Sequence, residues 1–275
     1  MMLNFFYKNF MGRLVRLPMT YIWFSQLGGA FADSSVSRYF IKSFIKRNKI
    51  DMSDYIVPDN GYKTFNEFFY RKLKPNKRVI DPAPDSVISP ADSKLLVIPE
   101  INTKSYFFVK TCKFDLELFL QDKDLASEFS GGTLFLFRLA PENYHRFHFP
   151  FDCVASQPKL ISGKLESVNP VVYKSGVQPL TENERHLIVL DSEKFGKVLF
   201  VPVGAMLVGK VVETYDPEKF HKKGDEAGYF AFGGSSIVMI FKKGVVTPDE
   251  TFIQNSLHDR ETEVRMGFRV DKSTK

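Results

Sequence analysis

From about Val87 onward the chain is a succession of short apolar runs divided by Gly, Pro, Asn and Asp, and few architectures accept that pattern. The runs at 94–98, 133–139, 187–190, 198–203, 208–214, 229–232 and 236–241 have strand length and carry β-branched and aromatic residues. No amphipathic helix separates them, so the crossovers that a parallel sheet needs are missing. The expectation is an α+β protein with a β-rich, antiparallel body. The tail from Gly244 reads as polar and loop-like, with residues 263–269 available as an edge strand. No internal repeat is present.

The first sixty residues read differently. Residues 1–50 contain eight basic residues (Lys8, Arg13, Arg16, Arg38, Lys42, Lys46, Arg47 and Lys49) against Asp33 alone. The whole chain carries +6, so the basicity belongs to this segment. Val36, Phe40, Ile41, Phe44 and Ile45 recur at helical spacing behind a cap at Asp33 or Ser34. Lys46, Arg47 and Lys49 then complement the helix dipole. Basic charge interleaved with Phe, Leu, Tyr and Trp suits an anionic lipid surface better than nucleic acid. A basic helical pair packed on the body is the plainer alternative. No stretch reaches the ~20 apolar residues that span a bilayer. The run at 17–32 is broken by Pro18, Gln26, Gly28 and Gly29, and no small-residue cleavage site marks a signal peptide. Residues 1–60 are therefore expected to form a helical segment lying on a membrane, and 61–275 the β-rich domain.

At 275 residues the chain can bury a substantial core, and 28 phenylalanines against one tryptophan will fill most of it. Cys112 and Cys153 match no metal or redox spacing, so a reduced, cytosolic environment is expected. Thr64-Phe65-Asn66-Glu67 is a capping box, followed by the apolar stripe Phe65, Phe68, Phe69 and Leu73 and the stop Pro75. That helix is expected to turn Arg71, Lys72, Lys74, Lys77 and Arg78 outward.

Three stretches carry candidate chemistry. Gly233-Gly234-Ser235-Ser236 runs into Ile237-Val238-Met239-Ile240-Phe241, placing a hydroxyl after two conformationally free residues and ahead of a rigid strand. A plain β-turn gives the same pattern. Two of the five histidines, His145 and His148, lie within four residues between Pro141 and Pro150. The prolines leave little room for a helix, and no acidic or cysteine ligand stands at metal spacing, so no metal is expected. Near a nucleophile the pair would offer acid and base groups titrating near neutrality. In a surface loop it would simply be bonded. Asp92, in Ser89-Pro90-Ala91-Asp92, is either a turn residue or the acid that orients a histidine.

Together these stretches resemble the phosphatidylserine decarboxylase family. Phe65-Asn66-Glu67-Phe68-Phe69-Tyr70-Arg71-Lys72-Leu73-Lys74-Pro75, Ser89-Pro90-Ala91-Asp92, Tyr144-His145-Arg146-Phe147-His148-Phe149-Pro150, Val203-Gly204-Ala205 and Gly233-Gly234-Ser235-Ser236 follow in the family's order. Ser93 departs from a frequent glycine and Ser236 from a frequent threonine. The resemblance implies a self-processing triad of Asp92, His148 and Ser235, with His145 handling protons during decarboxylation. It implies a proenzyme cut between Gly234 and Ser235 into a β chain (1–234) and an α chain (235–275). Its cofactor would be a covalent pyruvoyl group made from Ser235, the site of a Schiff base with phosphatidylserine. The product would be phosphatidylethanolamine.

The partners so implied are an anionic membrane holding phosphatidylserine, the chain's own two fragments as a heterodimer, and a second copy as a homodimer; nucleic acid is not among them. The expected location is peripheral, on the cytoplasmic face of the cell membrane. Three alternatives remain at this point. One is a pyruvoyl decarboxylase of a soluble amino acid, which the basic apolar N-terminus argues against. Another is a serine hydrolase without self-cleavage, for which Gly233-Gly234-Ser235-Ser236-Ile237 lacks the G-x-S-x-G elbow. The last, a non-catalytic membrane-binding module, leaves Asp92 and both histidines unexplained.

Overall fold

The computed structural model describes residues 2–101, 105–107, 112–206, 210–233 and 235–272. Its N-terminal part folds as α1 (Met2–Lys8), α2 (Phe10–Met19), α3 (Ile22–Ala32), a 3-10 turn over Ser35–Phe40 and α4 (Ile41–Asn48). α1 folds back tightly on α2 because Gly12 lacks a Cβ, which would otherwise stand 2.0 Å from the Phe5 carbonyl oxygen. α5 (Phe65–Phe69) starts at the expected capping box. The Thr64 hydroxyl accepts from the Glu67 N–H, and the Glu67 carboxylate accepts from the Lys63 N–H. Its Phe65, Phe68 and Phe69 are buried against Ile41, Phe44 and Ile45 of α4 and against Phe232.

The strands follow as β1 (Ser93–Ile98), β2 (Ser105–Phe107), β3 (Cys112–Phe114), β4 (Thr133–Leu139), β5 (Arg146–His148), β6 (Cys153–Ala155) and β7 (Lys159–Ile161). After them come β8 (Arg185–Ser192), β9 (Gly196–Val203), β10 (Val211–Glu213), β11 (Phe220–His221), β12 (Glu226–Phe230), β13 (Ser235–Phe241) and β14 (Thr262–Val264). Interspersed are α6 (Leu116–Leu120), α7 (Lys123–Glu128), α8 (Pro170–Tyr173), α9 (Pro179–Glu182) and α10 (Glu250–Leu257). The main sheet runs β11-β6-β8-β9-β13-β4-β1-β14, with β7 also on β8, and a small sheet runs β10-β12-β5. Every strand pairing is antiparallel, as the sequence pattern predicts.

β13 lies between β9 and β4 and is buried along its whole length. Ile237 and Met239 join one core with Phe137, Phe200 and the small sheet's Phe147 and Phe230. Val238 and Ile240 join the opposite core with Phe119, Phe129 and Leu199. Cover on both faces explains why this strand reads as a continuous apolar run.

Several expectations need correction. α5 ends at Phe69, and Leu73 instead bridges to Tyr55 in an extended segment. Arg71 is buried beneath the Tyr55 ring, and the Arg78 side chain is only 6% exposed, so neither points outward. Val36 and Phe40 sit in the 3-10 turn, more than half exposed, while Ile41, Phe44 and Ile45 pack. The strand expected at 229–232 is β12, and it stops at Phe230 because the Phe232 N–H turns to the side chain of Asn66. The strand expected at 208–214 is β10, and Val208 lies outside the described residues. The tail holds α10, capped by Asp249 and burying Phe252 in the main core, whereas β14 supplies the edge strand. Among the described residues no helix is long and apolar enough to cross a membrane.

Candidate active site

Sheet register brings the singled-out stretches to one end of the molecule. Lys94 pairs with Arg138, Arg138 with Ser236, and Ser236 with Val203. Ser235 pairs with Leu139, so Asp92, the turn after β4, Gly233 and Gly204 all flank the same edge. Two strand spacings, roughly 10 Å, separate the start of β1 from that of β13.

Ser235 opens β13 on the face that also carries Ile237 and Met239, which looks toward the small sheet. It is fully buried, and among the described residues its hydroxyl has no hydrogen-bond partner. The Ser236 hydroxyl, on the other face, is also unpartnered. A buried polar group left unpaired costs stability, so such an atom at the head of a core strand asks for a chemical reason. Gly233 has φ of 138°, a conformation that side chains disfavour. Gly234, the expected cleavage partner, lies outside the described residues.

His145 is fully buried. Its Nδ1 lies 2.9 Å from the Asn143 carbonyl, which only accepts, so Nδ1 carries the hydrogen and Nε2 the lone pair. That Nε2 has no partner among the described residues. Burial, and then the nearby Arg71 charge, lower its pKa from 6.5 to about 3, so the ring is neutral near neutrality. It packs 3.9 Å, centroid to centroid, against Phe69.

His148 is arranged otherwise. Its Nδ1–H donates to the Gly224 carbonyl at 2.9 Å, and its Nε2 accepts from the Tyr144 hydroxyl at 3.1 Å. Burial lowers its pKa as well. Asp92 is gripped by Arg78, whose Nε donates to Oδ1 at 2.9 Å and whose Nη2 donates to Oδ2, while the Met266 N–H donates to Oδ1. The His148 N–H bonds the Pro90 carbonyl, so the Asp92 and His148 segments touch through the backbone. Asp92, His148 and Ser235 thus reach one end of the fold but are not linked to one another by side-chain hydrogen bonds.

Sequence reasoning missed four residues here: Arg78, Arg71, Tyr144 and Asn66. All lie in or beside stretches that the motifs mark, but no local signal shows that they turn inward. Arg71 donates from Nη2 to the Glu142 carbonyl at 3.0 Å and so braces the loop that carries His145. An apolar cavity of about 320 Å³ opens beside Gly233, lined by Phe69, Leu139, Val168, Met206 and Phe232. Phe6, Met19 and Phe44 from the N-terminal helices add to its wall, and Arg138, Ser167 and Asn169 supply its polar lining. A polar cavity of about 550 Å³ borders Arg78, Asp92 and Asn143. Among the described residues no three His, Cys, Asp or Glu side chains group closely enough to hold a metal ion.

The family model described as phosphatidylserine decarboxylase matches residues 65–270. The chain is 41% identical over 266 residues to a phosphatidylserine decarboxylase proenzyme of Fusobacterium nucleatum, covering 96% of this chain and 89% of that one. It is 40% identical over 249 residues to one from Chlamydia trachomatis, covering 90% and 83%. A proenzyme of the same name from Ruminiclostridium cellulolyticum is 39% identical over 279 residues, covering 100% and 93%.

Proposed function

The chain belongs to the phosphatidylserine decarboxylase family, and from that premise we propose a proenzyme that cuts itself between Gly234 and Ser235 and then decarboxylates phosphatidylserine to phosphatidylethanolamine. One observation carries the reading: a buried, unpartnered Ser235 hydroxyl heads a rigid core strand just after Gly233 at φ of 138°. A resting structural serine would hold a hydrogen bond. Among the described residues this one holds none.

In self-cleavage the Ser235 oxygen adds to the Gly234 carbonyl carbon, and the peptide C–N bond breaks as the hydroxyl proton passes to the freed amine. Removal of the Ser235 α-proton then breaks the Cβ–O bond of the ester. Gly234 departs as a carboxylate, and residue 235 exchanges its nitrogen for water oxygen as ammonia leaves. General-base help at such steps contributes about 10²–10⁴-fold. We assign that help to His148, with the Asp92 charge near it but not bonded to it in the uncut chain. The Tyr144 hydroxyl must then release His148 Nε2 or pass the proton on. A pyruvoyl group at position 235 would supply an electron sink for loss of carbon dioxide.

The surroundings of Ser235 fit that group. No charged side chain is hydrogen-bonded to the Ser235 hydroxyl, and an apolar cavity stands beside Gly233. We assign proton handling during decarboxylation to His145, whose Nε2 has no partner among the described residues; burial keeps its ring neutral in the uncut chain, so bound substrate must raise its pKa before it carries a proton.

The same proposal places the protein on the cytoplasmic face of the cell membrane. Phe10, Met11, Trp23, Leu27 and Phe31 on α2 and α3 are all more than half exposed, with the exposed Arg13 also on α2. An exposed apolar patch of this kind fits a lipid interface. Phe6 of α1, Met19 of α2 and Phe44 of α4 wall the cavity beside Gly233, so a lipid headgroup would enter from the side of the N-terminal helices.

Intact-mass measurement and carbon dioxide release from phosphatidylserine vesicles test the reading. The wild type should give two chains, the smaller without a free amine at its start, and Ser235→Ala a single inactive chain. His148→Ala should stay uncut, and His145→Ala should be cut but turn over poorly. An uncut wild-type chain that still releases carbon dioxide would sink the proposal.

A further inference from the structure

The segment to be cut is held by a residue for which the proposed chemistry has no role. The Phe232 N–H donates to Asn66 Oδ1 at 2.8 Å, and Asn66 Nδ2 donates to Asp33 Oδ1 at 2.7 Å. Asn66 is 2% exposed, so its own end of both bonds is buried, while Asp33 stands at the exposed rim. The Phe232 ring is caged edge-on by Phe65 at 4.8 Å and Phe69 at 5.3 Å, both from the helix that bears Asn66. Phe69 also packs against His145 with the rings tilted, and Arg71, just beyond the helix, braces the carbonyls of the His145 loop. One element therefore registers the peptide to be cut against the histidine beside it.

We propose that Asn66 is a positioning residue for self-cleavage: with Asp33 it fixes the Phe232 amide, and so the approach of Gly233 into the scissile bond. The inference rests on the self-cleavage reading above. Its physical basis is that Gly233 gives the backbone freedom at the point where the attack geometry must be narrow. Three residues from Ser235, one directional hydrogen bond and an aromatic cage remove that freedom. The bond is lost on the strand side too, since β12 has ended at Phe230 and the Phe232 N–H has no ladder partner. Asp33 then sets which way the Asn66 amide faces: its carboxylate can only accept, so it takes the NH2 and leaves the oxygen for Phe232.

The test is a time course of cleavage of the freshly translated full-length chain, read by intact mass, with thermal midpoints measured in a Ser235→Ala background. Asn66→Ala should slow cleavage by about tenfold or more, the rate equivalent of a lost buried hydrogen bond. Asn66→Asp should also be slow, because two carboxylates then face each other. Adding Asp33→Asn to Asn66→Asp restores a donor–acceptor pair of reversed sense and should return the rate to within about threefold of wild type. Wild-type kinetics in Asn66→Ala would overturn the proposal. So would a double variant that matches the wild-type thermal midpoint yet cleaves no faster than Asn66→Asp, and this arm decides the matter if Asn66→Ala fails to fold. A wild-type chain that never cuts at 234/235 would instead defeat the self-cleavage reading itself.

Discussion

Arg78 holds Asp92 in a two-pronged ion pair, with the Asp92 side chain 9% exposed and that of Arg78 6%. The same guanidinium reaches Asp54 through Nη1 at 2.9 Å, tying the N-terminal region to the mouth of β1. The forked geometry satisfies both carboxylate oxygens, which a point charge would not. In the uncut chain Asp92 is therefore a structural anchor as well as a candidate catalytic acid.

Removing Arg78 should be costly for that reason. Arg78→Ala leaves the Asp92 carboxylate buried with only the Met266 N–H as donor, and should destabilise the chain by about 3–5 kcal/mol in urea unfolding. Arg78→Lys keeps the charge but loses the fork and should recover only part of this. A variant within about 1 kcal/mol of wild type would show that the pair contributes little.

Acid should weaken the fold through the two histidines. Burial lowers both pKa values, that of His145 to about 3, so each ring takes up a proton near pH 6.5 in the unfolded chain but stays neutral when folded. The stability they contribute is complete above pH 6.5 and falls as pH drops toward the folded values. The slope approaches about 1.4 kcal/mol per pH unit for each ring. Urea midpoints of the Ser235→Ala chain between pH 7 and 5 should fall, and His145→Gln should remove about one proton from that slope. Equal slopes would mean that His145 is protonated in the folded chain.

Glu166 latches the N-terminal helices to the body. Its carboxylate accepts from Tyr7 Oη at 2.8 Å and from Arg16 Nη1 at 2.6 Å, while Asn183 bonds both its backbone N–H and its carbonyl. Glu166→Gln leaves the Arg16 charge largely buried and unpaired, a cost of about 3 kcal/mol. Amides of α1 and α2 should then exchange hydrogen about a hundredfold faster, with β4 and β13 unchanged. Unaltered exchange in α1 and α2 would place the docking energy elsewhere.

How far the sequence could be read depended on the range of the interaction. The Thr64–Glu67 capping box and the apolar run after Ser235 were legible because helix caps and strand patterning act over a few residues. α10 went unread because its Asp249 cap and buried Phe252 sit in a tail whose polar composition resembles a loop. The sequence pattern alone turns Arg71 and Arg78 outward. Both turn inward for partners far along the chain, the Glu142 and Asn143 carbonyls for one and Asp92 for the other.

The sequence by itself determined the α+β class, the antiparallel body, the family and the residue types of the site, since patterning and motif order are properties of the chain. Only the tertiary structure decided which histidine keeps a free nitrogen. His145 and His148 share one loop-and-strand segment and ordinary imidazole chemistry, yet the Tyr144 hydroxyl takes the lone pair of one while Phe69 packs beside the other. It also decided that Ser235 lies buried without a partner and that Asn66 catches the backbone three residues before it. Such outcomes depend on groups brought together from distant parts of the chain, and no local pattern encodes the direction in which a side chain finds its partner.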